Sequence, residues 1–127
     1  MLGLYGLGLI GAGVFRADPA LGFPPGTPLD STSISWHGLL HFLVGTIGFV
    51  GFVALCFILS GRFRELGQKG WSLFSMITGI LFLAAFVGIA SGSKGPVSLY
   101  FALAVALGFG WLSLLFIRLK TETGDRR

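Results

Sequence analysis

The chain holds two histidines, and they stand four residues apart in His37-Gly38-Leu39-Leu40-His41. On a helix this spacing places both rings on one face. It is also the spacing of paired histidine metal ligands. Two carboxylates, Asp18 and Asp30, lie in the stretch just before the pair, and either can reach it because that stretch has to lead back to His37. Two histidines and one aspartate would leave a fourth position open, which is the donor set of a catalytic zinc site. Zinc is therefore the one cofactor the residues suggest, with Asp18, His37 and His41 as its candidate ligands and metal-activated water as its chemistry. The pattern is incomplete, because no Glu stands between the histidines as it does in the metalloprotease helix. Two other readings stay open. The histidines could sit at a water interface, bonded to Asp18, a loop carbonyl or water, or they could serve proton sensing or transport.

The elements that must position these residues follow from composition. Apolar residues make up 54% of the 127, and charged residues only 11%, less than half the share of an ordinary soluble domain. The 21 glycines and 13 phenylalanines suit helices that pack closely in lipid. Four apolar segments stand out, at about 1–15, 37–60, 71–90 and 97–117. The last three carry no Asp, Glu, Lys or Arg and are long enough to cross a hydrocarbon core of roughly 30 Å. A backbone in that core must satisfy its own hydrogen bonds, which makes these segments helices. The expected fold is all-α, a transmembrane bundle of four helices treated as a single unit over residues 1–127.

The first helix is short. Residues 1–15 would rise only about 22 Å, and they include Gly3, Gly6, Gly8, Gly11 and Gly13. The segment reads as a short span held by neighbours, as the tail of a longer span, or as a signal peptide, although no Lys or Arg precedes the apolar run. Between it and the second segment, Pro19, Pro24, Pro25 and Pro28 exclude a regular helix.

A helical wheel supplies a packing surface. With His37 at 0°, His41 falls at about 40°, Gly45 at about 80°, Gly48 at about 20° and Gly51 at about −40°. Gly45, Gly48 and Gly51 thus share the histidine face, and a glycine stripe is where a second helix approaches. The histidines are expected to point into the bundle, where ionisable groups are functional candidates. Ser72, Ser75 and Gly79 share a face of the third helix, and Cys56 and Trp111 read as packing. Trp36 and Trp71 are expected as anchors at the two membrane interfaces.

The basic residues sort by side. Arg62, Arg64 and Lys69 lie in one connection, and Arg118, Lys120, Arg126 and Arg127 in the tail. The two other connections carry only Arg16 and Lys94. This asymmetry places the C-terminus in the cytoplasm and the proline-rich stretch outside, in a multi-pass protein of the plasma (inner) membrane. Because the net charge of +4 sits at the ends of apolar segments, it points to anionic lipid headgroups and not to nucleic acid. The expected partners are the bilayer and, through the glycine faces, further membrane helices or a homo-oligomer.

Gly13-Val14-Phe15-Arg16-Ala17-Asp18-Pro19, then Pro24-Pro25, then His37-Gly38-Leu39-Leu40-His41 entering a span resemble the domain-of-unknown-function 998 family of prokaryotic membrane proteins. There a Gly-x-Phe-x-x-Asp stretch ends one span and a histidine opens the next. The resemblance covers roughly Leu9 to Ile117. It departs at Arg16, where the family more often has Pro, and family members generally carry further spans ahead of these, so this chain looks like the C-terminal part of the usual length. The resemblance implies a fold and points to Asp18, His37 and His41, but it implies no activity. The leading functional expectation is a non-enzymatic membrane protein, with a role that is structural or that of a subunit in a larger assembly. The rival is a membrane-embedded metal-dependent hydrolase using His37, His41 and Asp18.

Overall fold

A computed structural model describes residues 1–20, 22, 24–28, 33–92 and 96–124, with the backbone alone at 123 and 124. Asp30, Lys94, Arg126 and Arg127 lie outside the described residues. The described chain is all-helical, with four helices: α1 Leu2–Val14, α2 Trp36–Glu65, α3 Lys69–Ala90 and α4 Val97–Gly124. Three of them, α2, α3 and α4, are long and apolar enough to cross a membrane, and α1 is a shorter apolar helix. Large apolar side chains such as Leu7, Ile10 and Val14 on α1 and Leu39 and Val50 on α2 are more than half exposed. In water that surface would be costly, whereas in lipid tails it is at no disadvantage. The chain is an integral membrane protein.

Helix ends follow local chemistry more closely than the apolar runs do. Helix α2 continues past its apolar stretch through Arg62 and Arg64 and stops only at Gly67, whose φ of 72° is a left-handed conformation that glycine adopts without strain. The Gly67 N–H donates to Arg64 O at 3.0 Å and the Gln68 N–H to Phe63 O at 2.8 Å. These two bonds are the Schellman pattern that closes a helix C-terminus. The 30 residues of α2 extend about 45 Å, so its charged last turn clears the hydrocarbon core.

The chain divides into two compact units, residues 1–55 and 56–127. In the first, α1 runs antiparallel to the first part of α2, with Gly8 against the facing backbone. A Cβ added at Gly8 would stand 2.5 Å from the Cα of Gly48, and one at Gly51 would stand 3.2 Å from the Cβ of Leu4. Gly11 faces the Val44 side chain, and Gly45 lies opposite Ala12. The close approach brings the rings of Tyr5 and Phe52, both buried, to 4.8 Å between centroids.

In the second unit the polar face of α3 is fully engaged. The Ser60 hydroxyl donates to Ser72 O at 2.9 Å. The Trp111 indole donates to Ser75 Oγ at 3.0 Å, with both side chains completely buried. Gly79 admits Cys56, whose Cβ would be 2.9 Å from an added Cβ, and Cys56 is a buried free thiol. Thr78 bonds back to Phe74 O at 2.9 Å, as hydroxyls inside apolar helices commonly do.

Candidate functional site

Asp18, His37 and His41 meet where α1 ends and α2 begins, each in a different role. Ser35 is the N-cap of α2. Its Oγ accepts the N–H of Gly38, three residues on, at 3.0 Å, and so satisfies one of the donors that a helix N-terminus leaves open. The N–H of Ser35 itself donates to Asp18 Oδ2 at 2.8 Å. In a capping box that second bond comes from a Glu or Gln at the third helical position. Here the third position is Gly38, which has no side chain, and the carboxylate of Asp18 occupies the space its Cβ would need. Asp18 therefore completes the box from outside the helix, across the proline-rich stretch.

The electrostatics agree with this geometry. Hydrogen bonds from the Ser35 side chain and backbone, aided by the charge of His37, hold the Asp18 carboxyl below its ordinary value of 3.8, against the opposing pull of desolvation. The open N–H groups of the first turn of α2 favour an anion at the same place.

His41 does the converse for α1. Its Nδ1 lies 2.8 Å from Ala12 O and 2.9 Å from Phe15 O. Both partners are carbonyls, which only accept, so Nδ1 carries the proton and donates to both. Ala12 O is among the last carbonyls of α1, which have no partner within the helix. One helix thus lends a histidine to its neighbour's C-terminus, and the segment beyond that neighbour returns a carboxylate. The caps are reciprocal.

His37 stacks on Trp36, with centroids 3.6 Å apart and planes 31° apart, and stands 6.3 Å from the Phe15 ring. Its Nδ1 is buried with no hydrogen-bond partner among the described residues. Of the three candidate residues, only His37 keeps a ring nitrogen that is buried and unengaged. Neither imidazole is hydrogen-bonded to Asp18, whose bonds go to Ser35. Among the described residues no group of three His, Cys, Asp or Glu side chains is placed to hold a metal ion, and Asp30 lies outside them.

Ser35 and Gly38 did not stand out as site residues in the sequence. A Ser just ahead of a helical run is a readable N-cap signal. That Gly38 makes room for a distant carboxylate is a property of the fold alone.

No curated protein and no solved structure matches the chain. A family model does, over residues 1–118. That stretch takes in both caps and nearly all of the four helices, and by it the chain belongs to the family described as "Protein of unknown function (DUF998)".

Proposed function

We propose that the chain is a non-catalytic membrane unit whose polar junction fastens α1 to α2, and that it serves a structural or subunit role. One observation carries this reading. Asp18 and His41, two of the three side chains suited to chemistry, are both bonded to backbone at helix ends. A subunit role is supported by the outer face of α1, where Gly3, Gly6 and Gly13 have nothing within 4 Å of an added Cβ. Small residues left open in this way suit the approach of a further membrane helix or a second copy. The distribution of Lys and Arg favours the inner membrane, with the C-terminus cytoplasmic and the proline-rich stretch outside.

The rival hydrolase reading draws on His37 Nδ1, the buried nitrogen without a partner. Elemental analysis of protein purified without chelator separates the two. The structural reading expects no stoichiometric zinc. One equivalent in the wild type, lost in His37→Ala and in His41→Ala, would move the assignment to the metal enzyme.

A further inference from the structure

One end of the second unit carries a surface that the junction does not use. There the last turn of α2, the start of α3 and the end of α4 come together around Arg118. Its guanidinium carbon lies 4.9 Å from the centroid of Trp71 and 5.2 Å from that of Phe63, and those two rings are 5.7 Å apart. Cation–π contact of this kind holds an arginine head against an apolar wall. Its Nε donates to Glu122 Oε1 at 2.8 Å, one turn further along α4. The side chain is only 17% exposed. Its two Nη groups nevertheless have no partner among the described residues, and neither is a buried orphan. What remains is a fork of four N–H donors on a head already fixed by two rings and a carboxylate, which is the geometry that binds a phosphate through two bonds at once.

The surroundings share the sign. Arg62 and Arg64 at the end of α2, Lys69 at the start of α3 and Lys120 near the end of α4 belong to the same helix ends, and all four are exposed, against Glu65 and Glu122 among the described residues. Helix α3 begins beside them with no side-chain cap on its N-terminus, which adds open N–H groups and a positive dipole end. The indole of Trp71 belongs at the headgroup level of a bilayer.

We propose that Arg118, seated on Phe63 and Trp71, binds the phosphodiester of an anionic phospholipid in the leaflet at this end of the spans. The occupant is a lipid and not free phosphate, because the fork emerges from the rim of three membrane-spanning helices, with aromatic rings on the side where glycerol and acyl chains would lie. Glu122 competes for the same guanidinium and sets how tightly the lipid is held.

The test uses the full chain in phosphatidylcholine nanodiscs doped with rising fractions of phosphatidylglycerol, with melting temperature as the readout. Phosphatidylglycerol is expected to raise it, and Arg118→Gln to need about fivefold more of the lipid for the same rise, the loss of one arginine contact at an anionic surface. Glu122→Gln is expected to need less than the wild type, an effect that a purely structural ion pair would not produce. Arg118→Lys keeps a cation over the rings but loses the fork, so it should shift in the same direction as Arg118→Gln and carries the test should that variant fail to fold. Inorganic phosphate added to pure phosphatidylcholine discs should give no rise. The proposal is overturned by a wild type indifferent to phosphatidylglycerol, by Arg118 and Glu122 variants that keep the wild-type dependence, or by inorganic phosphate reproducing the rise.

Discussion

Asp18 acts on a helix to which it does not belong, and that arrangement has measurable consequences. Ser35→Ala removes the acceptor for the Gly38 N–H and is expected to cost about 1 kcal/mol, the usual loss for an N-cap. Asp18→Ala should lower the melting temperature as well. In that background Gly38→Glu places the missing carboxylate at the third helical position, so it is expected to recover part of the loss. In the wild type the same Gly38→Glu should only destabilise, because Asp18 already fills the space. The pH dependence follows from the lowered Asp18 pKa. The unfolded chain takes up this proton near the ordinary value of 3.8, the folded chain only at lower pH. The stabilisation is therefore complete above that value and is lost as pH falls through the folded pKa. Asp18→Asn should flatten this acid limb in unfolding curves recorded as a function of pH. The sequence led to the expectation that Asp18 or Asp30 would reach His37 and His41, since the stretch between them has to lead back to the histidines. It did not show the bonds, because a backbone N–H or carbonyl has no signature in residue types. A carboxylate and two imidazoles invite a metal reading until their partners are seen.

At the scale of elements, the glycines separate into two kinds. Gly8 and Gly48 touch backbone to backbone, whereas Gly13 faces open space. Gly48→Leu would have to push α1 away, and a cost of about 1–3 kcal/mol is expected for such overpacking. Gly13→Leu is the matched control and should leave thermal stability in detergent nearly unchanged. Leu favours a helix more than Gly does, so a loss of similar size at both positions would contradict the assignment of close approach to Gly48 alone. The wheel in α2 puts Gly45, Gly48 and Gly51 on one face because 100° per residue brings these positions together whatever the tertiary fold. It could not identify the opposite partner, and the five glycines of α1 look alike until α2 is laid against them. Residues buried on α3 behave the same way. The shared face of Ser72, Ser75 and Gly79 is visible in the spacing, but the indole that meets Ser75 comes from position 111. Trp111→Phe removes that donor and leaves a buried hydroxyl to find another partner, for an expected loss of about 1 kcal/mol in the same assay.

At the scale of the whole molecule, three long apolar helices make the chain a membrane protein, and the charged residues among those described lie at or beyond helix ends. Reporter fusions at Gly67 and Thr27 are expected to read cytoplasm and exterior respectively, following the basic residues, and the reverse pattern would invert the orientation. The central claim is that the histidine–aspartate junction holds helices together instead of holding a metal. Thermal unfolding of the wild type, His41→Ala and Asp18→Asn in detergent, each with and without zinc, tests it most directly. Both variants are expected to melt below the wild type, with zinc moving none of the three curves. A metal site would behave otherwise, since a ligand that binds only the folded state raises its stability in proportion to occupancy. Wild type stabilised by zinc, with both variants melting alongside the zinc-free wild type and unresponsive to the metal, would contradict the account.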